Sequence, residues 1–387
     1  MTIFKRMWQS VQDIVRKADM KLLGLCMVCT AFGLILIASA TNYLGPATQL
    51  KRVMIQAAGA VIGIGAYFIF SNLDVEYFSE KWWLFLIFNV GFIALLRTPL
   101  GVERNGNRSW LEIPHFPVNI QPAEIVRLTF TVLLARQIAW FRDNRQMKGL
   151  SSLIFPAAHA GFMFVWIYVV SKDAGSGLMY LVIYAGMALA AGLAWYWFAA
   201  AIGGLGLGVG ALVLFEKLPK YWVERFHVII DHSYDPMGAG YQQTRGMMAL
   251  GSGRLFGQGL FHGIQTQSVI GIPERQTDFI FCVCGEELGL VGCFVIIVLE
   301  FLVVYRCFQT ARLAKSSMDA LICVGFGTML IFQTIENIGM CLFVMPVIGL
   351  TLPFFSYGGS SIVALYAAMG MVSGVRGRTL PDWLRKT

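Results

Sequence analysis

Charge is what this sequence has least of. Asp, Glu, Lys and Arg make up 13% of its 387 residues, about half the ~25% of an ordinary soluble domain. Hydrophobic residues rise to 57% and mean hydropathy is +0.65, so too little polar surface remains to cover a water-soluble globule. No long polar block interrupts the apolar stretches, which excludes a string of soluble domains and leaves one integral membrane domain. A disulfide framework is missing as well, because nearly all of the eight cysteines lie inside apolar runs. Cys26-x-x-Cys29 has redox spacing but neither a βαβ context nor a neighbouring His, and reads as packing. Neither a G-x-x-x-x-G-K-[ST] loop nor a strand-framed G-x-G-x-x-G is present. No internal repeat, no low-complexity tract and no inverted repeat of the kind that would favour a secondary transporter is visible. The N-terminus, with Lys5, Arg6, Arg16, Lys17 and Lys21, is too long and amphipathic to resemble a cleaved signal peptide, so the first span is expected to stay.

What is there is a series of apolar runs, each near the ~20 residues that cross a bilayer as helix. They predict an all-α membrane protein of about ten transmembrane helices, near 22–41, 53–71, 82–97, 122–141, 153–171, 177–195, 197–215, 278–305, 320–345 and 356–375. The 177–215 run is split at Trp195-Tyr196-Trp197, an aromatic group suited to a membrane interface. The chain carries a net charge of +8, and its placement follows the positive-inside rule rather than a nucleic-acid patch. With the N-terminus inside, Lys81, Arg142, Arg145, Lys148, Arg306, Arg312, Lys315, Arg376, Arg378, Arg385 and Lys386 fall on the inner side. That gives a cytoplasmic segment 1–21, a membrane domain 22–375 and a basic cytoplasmic tail 376–387. A large extracytoplasmic loop, 216–277, lies between spans seven and eight, and long loops of this kind are usually functional.

Ionisable residues at the outer mouths of the spans are the functional suspects, because charge within a bilayer is expensive. The fourth span opens Gln121-Pro122-Ala123-Glu124-Ile125-Val126-Arg127, with Glu124 and Arg127 three apart on one face, where they can pair either structurally or functionally. In the long loop, Gly251-Ser252-Gly253-Arg254-Leu255-Phe256-Gly257-Gln258-Gly259 offers a weak phosphate cradle, and His227, His232 and Asp235 match no strong metal pattern. The loop ends Ile272-Pro273-Glu274-Arg275-Gln276-Thr277-Asp278. Asp278 there is a helix cap, or a base placed at headgroup depth. Glu286 and Glu287, some 12–14 Å further along a straight helix, read as internal anchors. Pro346 to Ser361 holds two prolines and paired glycines, which suggests an irregular or re-entrant outer segment lining a cavity.

The ninth span carries the polar residues Gln333, Glu336 and Asn337, and four stretches, Ile272–Phe281, Gly285-Glu-Glu-Leu-Gly289, Asn337-Ile-Gly-Met340 and Leu352-Pro-Phe-Phe-Ser-Tyr-Gly-Gly-Ser-Ser361, resemble the SEDS proteins (shape, elongation, division and sporulation), the RodA/FtsW/SpoVE group. Asn107–Leu111, Gln121–Glu124 and Asp235–Gln242 add support, so that the likeness runs from about residue 105 to 375. It implies a peptidoglycan glycosyltransferase that polymerises lipid II on the outer face of the cytoplasmic membrane, working with a class B penicillin-binding protein. By motif position Asp278 would be the family's essential aspartate. Arg108, Glu124 and Arg127 match other important cavity positions, Arg52 and Arg225 match cavity arginines, and Glu274 is carried as a substrate-binding residue beside Asp278. The chain departs from the common pattern at Gln276, where many members have His, at Arg127 for Lys, at Arg245-Gly246 and at Lys172–Gly175. The diphosphate leaving group would need its charge offset by arginines or by a divalent cation, Mg or Mn. A lipid-precursor flippase and a non-catalytic scaffold for a transpeptidase are the rival readings.

Overall fold

The computed structural model describes residues 15, 17–104, 106–114, 118–144, 150–200, 203–204, 220–231, 235, 237–238 and 240–379. Its long helices are α1 (Met20–Thr41), α2 (Pro46–Asn72), α4 (Trp82–Ala94), α5 (Pro122–Asp143), α6 (Leu150–Ser171), α7 (Ala174–Ala191), α11 (Ile280–Leu313), α12 (Ser317–Cys341) and α13 (Gly359–Thr379). Between them lie the short α3 (Val75–Ser79), and then α8 (Lys220–Ile230), α9 (Tyr241–Gly253) and α10 (Ile264–Gln267) in the segment read as a large loop. Among the described residues, six helices are long and apolar enough to cross a membrane. α5, which carries several charges, and α13, rich in glycine and serine, fall outside that group, yet both are buried along much of their length among the other helices. The run 177–215 breaks at Gly192, whose left-handed φ of 95° ends α7. Most of the predicted seventh span, 197–215, lies outside the described residues.

Sequence-local chemistry sets the helix ends. Asp19 caps α1 by accepting from the backbone N–H groups of Lys21 and Leu22 at 3.2 and 3.3 Å. Pro46 and Pro122 open α2 and α5, where a missing N–H costs nothing. The centre of the bundle is α12, packed on α11, α5, α7 and α13. α2 and α13 approach so closely that a Cβ on Gly370 would stand 2.5 Å from the Tyr67 carbonyl oxygen and one on Gly374 2.7 Å from that of Ser71. Small residues at such contacts are how helices associate where water gives no hydrophobic drive. Around this core runs a collar of exposed apolar side chains, among them Val61, Ile69, Phe155, Val169, Phe294 and Phe301. A surface of that kind is meant for lipid.

One end of the bundle is stapled by charge. Arg306 of α11 makes a bidentate pair with Asp19, both contacts at 2.9 Å, and Arg376 of α13 reaches the same carboxylate at 3.3 Å. The Asp19 N–H donates to Ser373 Oγ at 2.7 Å, and the Tyr67 hydroxyl donates to the Asp19 carbonyl at 2.6 Å. Arg378 pairs with Asp319 at 2.8 Å. Arg376 and Arg378 lie in the last turn of α13, which runs on to Thr379.

The all-α expectation needs one correction. Gly101–Arg104 (β1) and Asn107–Leu111 (β2) form an antiparallel hairpin, turning at Gly106 with φ 80°. Gly289 is a second departure, since φ 68° and ψ −164° interrupt α11 in a region essentially reserved for glycine. The glycine-rich stretch of the long loop supplies the missing partners: Leu290 N–H donates to the Arg254 carbonyl at 2.9 Å and Val291 N–H to that of Leu255 at 3.2 Å. A Cβ at 289 would lie 2.4 Å from the Gly257 nitrogen. Gly289→Ala is expected to destabilise the protein by about 2–4 kcal/mol through strain and clash, read as a lowered unfolding temperature in detergent. A variant that melts with the wild type would show that the break is dispensable.

Candidate functional site

Asp278 ends a tight turn folded around Glu274, whose own φ is 46°. The Glu274 carbonyl accepts from the N–H groups of Thr277 and Phe279 at 3.1 and 3.3 Å. Its carboxylate accepts from Thr277 Oγ1 at 3.2 Å and from Gln276 Nε2 at 3.3 Å. Arg275 is spent inward: it donates to the carbonyls of Ile272, Ser268 and Thr266 and lies 3.8 Å over the ring of Tyr43. The segment 342–358 holds the turn from the other side. Tyr357 N–H donates to the Gln276 carbonyl at 2.8 Å, and Ser356 Oγ to that of Thr277 at 2.6 Å. Gln56 of α2 fixes this segment in turn, accepting from Gly358 N–H at 2.9 Å and donating to the Ser356 carbonyl at 3.2 Å. The irregular, buried segment foreseen from its prolines and glycines is thus a cradle for the Asp278 turn.

From α12, Asn337 Nδ2 donates at 2.8 Å both to the Asp278 carbonyl and to that of Leu350. These bonds fix the backbone of Asp278 and leave its carboxyl free of hydrogen bonds within the described residues. The carboxyl lies over Gly349, where an added Cβ would stand 3.8 Å from Oδ2. Asp278 precedes α11, and burial pushes its carboxyl up to about 7. The negative charges of Glu274 and Asp173 act in the same direction, and Arg225 opposes them. A carboxyl titrating near neutrality is suited to accept a proton.

Two acidic neighbours of this site were not among the site residues expected from the sequence. Asp173 caps α7, accepting from Ser176 N–H at 2.9 Å, Ser176 Oγ at 2.7 Å and Ser109 Oγ at 3.1 Å. Glu336, beside Asn337, is 2% exposed, with neither oxygen hydrogen-bonded among the described residues. A lone acid inside an apolar span was the available signal.

The other expected site residues occupy distinct places. Arg225 on α8 is half-buried and close enough to act on both Asp278 and Glu336. Arg52 lies 6.0 Å from the centre of the Tyr357 ring, with Nη1 buried and unbonded. Glu124 and Arg127 are buried and line one small cavity with Gln333 and Ser361, its room for water about 10 Å³. They form no ion pair there. Ser360 Oγ donates to Glu124 at 3.4 Å, while Arg127 Nε and Gln333 Oε1 stay unbonded, polar atoms that a water can serve. Arg108 braces the hairpin, donating to the carbonyls of Gly101 and Thr98 at 3.1 and 3.0 Å.

The two glutamates read as anchors are anchors. Glu286 accepts from the N–H groups of Gln265 and Thr266 and from Thr266 Oγ1 at 2.6–2.7 Å, closing the start of α10. Glu287 accepts from Ser39 Oγ and from Gln267 Nε2 at 3.1 Å. Their expected depth is overturned. Asp19 at the start of α1 pairs with Arg306 near the end of α11, so α1 and α12 run in the same direction. Ser39, in the last turn of α1, meets Glu287, and Asn337, near the same end of α12, meets the Asp278 carbonyl. Asp278 and Glu287 therefore sit at similar depth, and the helical stretch before the Gly289 break runs across the bundle rather than down it. Nor is the glycine-rich stretch a phosphate cradle. The N–H groups of Gln258 and Gly259 donate to the carbonyls of Glu286 and Glu287, both at 2.9 Å.

Comparison with known proteins gives the same picture over nearly the whole chain. A family model, FTSW_RODA_SPOVE, described as cell cycle protein, matches residues 19–379. The chain is 32% identical to the Tolumonas auensis protein named "Probable peptidoglycan glycosyltransferase FtsW", over 92% of this chain and 91% of that protein. It is 33% identical to stage V sporulation protein E of Bacillus subtilis, over 81% and 84%. Among solved structures, one chain of a peptidoglycan synthase complex superposes with a TM-score of 0.78 at 28% identity, covering 94% of this chain and 99% of that one. The rod shape determining protein RodA of Thermus thermophilus superposes with a TM-score of 0.61 at 25% identity, covering 94% and 98%. With six apolar helices long enough to span a bilayer and a family model matched from residue 19 to 379, the chain is an integral membrane protein and belongs to the FtsW/RodA/SpoVE family.

Proposed function

We propose that this protein is a peptidoglycan glycosyltransferase that joins lipid II units on the outer face of the cytoplasmic membrane, with Asp278 as general base. The observation that carries the reading is the Asp278 turn: a carboxyl free of hydrogen bonds, held by its backbone between α12 and the 342–358 cradle, with its proton affinity brought to about 7. Asp278 takes the proton of the acceptor sugar's 4-hydroxyl as that oxygen attacks the anomeric carbon of the donor. The bond from that carbon to the lipid diphosphate breaks with its electron pair on phosphate oxygen, so an α-linked donor gives a β-linked product. Phosphate is already a good leaving group, and positive charge completes it. Arg225, whose charge acts on Asp278, and Arg52, whose Nη1 is unbonded among the described residues, would supply that charge. Glu124 and Arg127 would line the approach to the site, Glu274 would shape its rim, and Arg108 would act through the hairpin it braces.

The topology that goes with this reading has about ten spans and both termini in the cytoplasm. The membrane domain covers 22–375, and the 216–277 segment lies outside. A class B penicillin-binding protein is the expected partner, because the new glycan must be crosslinked and the superposed chain belongs to a synthase complex.

The reading has a pH signature. Only the ionised base can accept the proton, so glycan formation should rise with pH, reach half its plateau near pH 7, and fall about tenfold per unit below that. Rate measurements on purified protein with lipid II across the range check this. A rate already on its plateau at pH 5 would contradict Asp278 as the base.

A further inference from the structure

Glu336 is a buried acid that the mechanism above does not use. It lies in α12, 2% exposed, with both carboxyl oxygens lacking a hydrogen-bond partner among the described residues. The Ile348 amide lies alongside without a well-aligned hydrogen bond. Its chain neighbour Asn337 grips the backbone of Asp278, and Gly349, next to Ile348, lies under the Asp278 carboxyl. The two carboxyls therefore flank the same pair of residues. The charges that act on Glu336 are those of Asp278 and Arg225, and those that act on Asp278 are Glu274, Asp173 and Arg225. Cys341 of α12 also faces the pair, its thiol 3.9 Å from the Asp278 carbonyl oxygen.

An ionised carboxylate with no partner, inside a membrane-spanning helix, costs far more than a neutral acid of the same shape. Two carboxylates close to one arginine would also leave net negative charge where a diphosphate has to bind. We propose that Glu336 is a positioning residue for the glycosyl transfer, a neutral carboxylic acid that lets Arg225 serve Asp278 and the donor diphosphate. It makes and breaks no bond. Its work is to keep the floor of the site uncharged while Asp278 alone titrates. The inference rests on the glycosyltransferase reading and adds a second limb to its pH dependence. Once Glu336 ionises at alkaline pH, its charge competes for Arg225 and repels the donor, so the KM for lipid II rises and the rate falls.

The test compares wild type, Glu336→Gln and Glu336→Asp from mildly acid to alkaline pH, measuring kcat and the KM for lipid II. Glu336→Gln, a permanent mimic of the neutral acid, should stay within about threefold of the wild-type rate near neutrality and lose the alkaline rise in KM. Glu336→Asp, which keeps a titratable group, should retain that rise. A Gln profile superimposable on wild type at every pH would overturn the proposal. So would a Gln variant that is folded but inactive at every pH. Infrared difference spectra of the three proteins give a readout independent of turnover. A protonated-carboxyl stretch that disappears only at alkaline pH, above the Asp278 transition near pH 7, should be present in the wild type and absent in Glu336→Gln, and a band shared unchanged by the two proteins would likewise overturn the assignment. Absence of glycan from the wild type, or full activity of Asp278→Asn, would instead sink the glycosyltransferase reading, and the infrared arm would still decide the state of Glu336.

Discussion

Asp278→Asn is expected to lower glycan polymerisation at least about a thousandfold, in the range seen when a general base is removed. The side chain makes no hydrogen bond within the described residues, and the turn is held through its backbone by Asn337 and through its neighbours by Ser356 and Tyr357. An isosteric amide keeps all of those contacts, so the unfolding temperature should stay close to wild type, within the small range of substitutions that break no contact. The loss would therefore be chemical rather than structural. KM for lipid II should change far less than kcat, because the arginines that meet the diphosphate remain. A variant that keeps near-wild-type kcat would remove Asp278 from the chemistry.

Asp19→Ala should give the largest loss of stability, about 3–5 kcal/mol. Its carboxylate is buried against two arginines, Arg306 and Arg376, and removing it leaves both without their acidic partner at the junction of α1, α11 and α13. It also removes the cap of α1, worth about 1 kcal/mol by itself. The two parts share one side chain and will not simply add. Asp19→Asn separates them: the amide oxygen can still cap α1 but cannot pair with guanidinium, so it should recover only the capping part. Thermal unfolding in detergent reads both variants. An Asp19→Ala protein that melts with the wild type would show that the network is dispensable. This network lies at the far end of the bundle from Asp278, so surviving Asp19→Ala protein should keep its kcat.

Most of the helical framework was legible in the sequence because hydropathy is a local property. The runs around residues 22–41 and 320–345 needed only their composition, and the run at 122–141 is a helix, α5, despite its charges. The hairpin at Gly101–Leu111 was missed although Asn105-Gly106 between two short runs is a strong turn signal. The break at Gly289 has no such local signal. Gly285-Glu-Glu-Leu-Gly289 continues an apolar helical pattern, and only the loop 254–259, distant in sequence, supplies the partners that make an interruption affordable. The depth of Glu286 and Glu287 was misread in consequence.

The site was legible in part and along the same divide. Asp278 and its flanking turn stand out locally. Asn337 was visible as a polar residue in a span, but its grip on the Asp278 carbonyl joins residues 59 positions apart. Glu124 and Arg127 are correctly placed together on one helix face, yet helical spacing could not tell that they line a cavity without pairing. Arg108 reads as a substrate ligand from motif position and is found bracing backbone carbonyls. Asp173 and Glu336 belong to the site only through tertiary packing.

The most direct test of the account is to incubate the purified protein with lipid II, with and without a class B penicillin-binding protein, and separate the products by size, running Asp278→Asn alongside. The account predicts glycan ladders from the wild type that vanish in the variant. Ladders of equal strength from Asp278→Asn, or none from the wild type under any partner or divalent-cation condition, would contradict it.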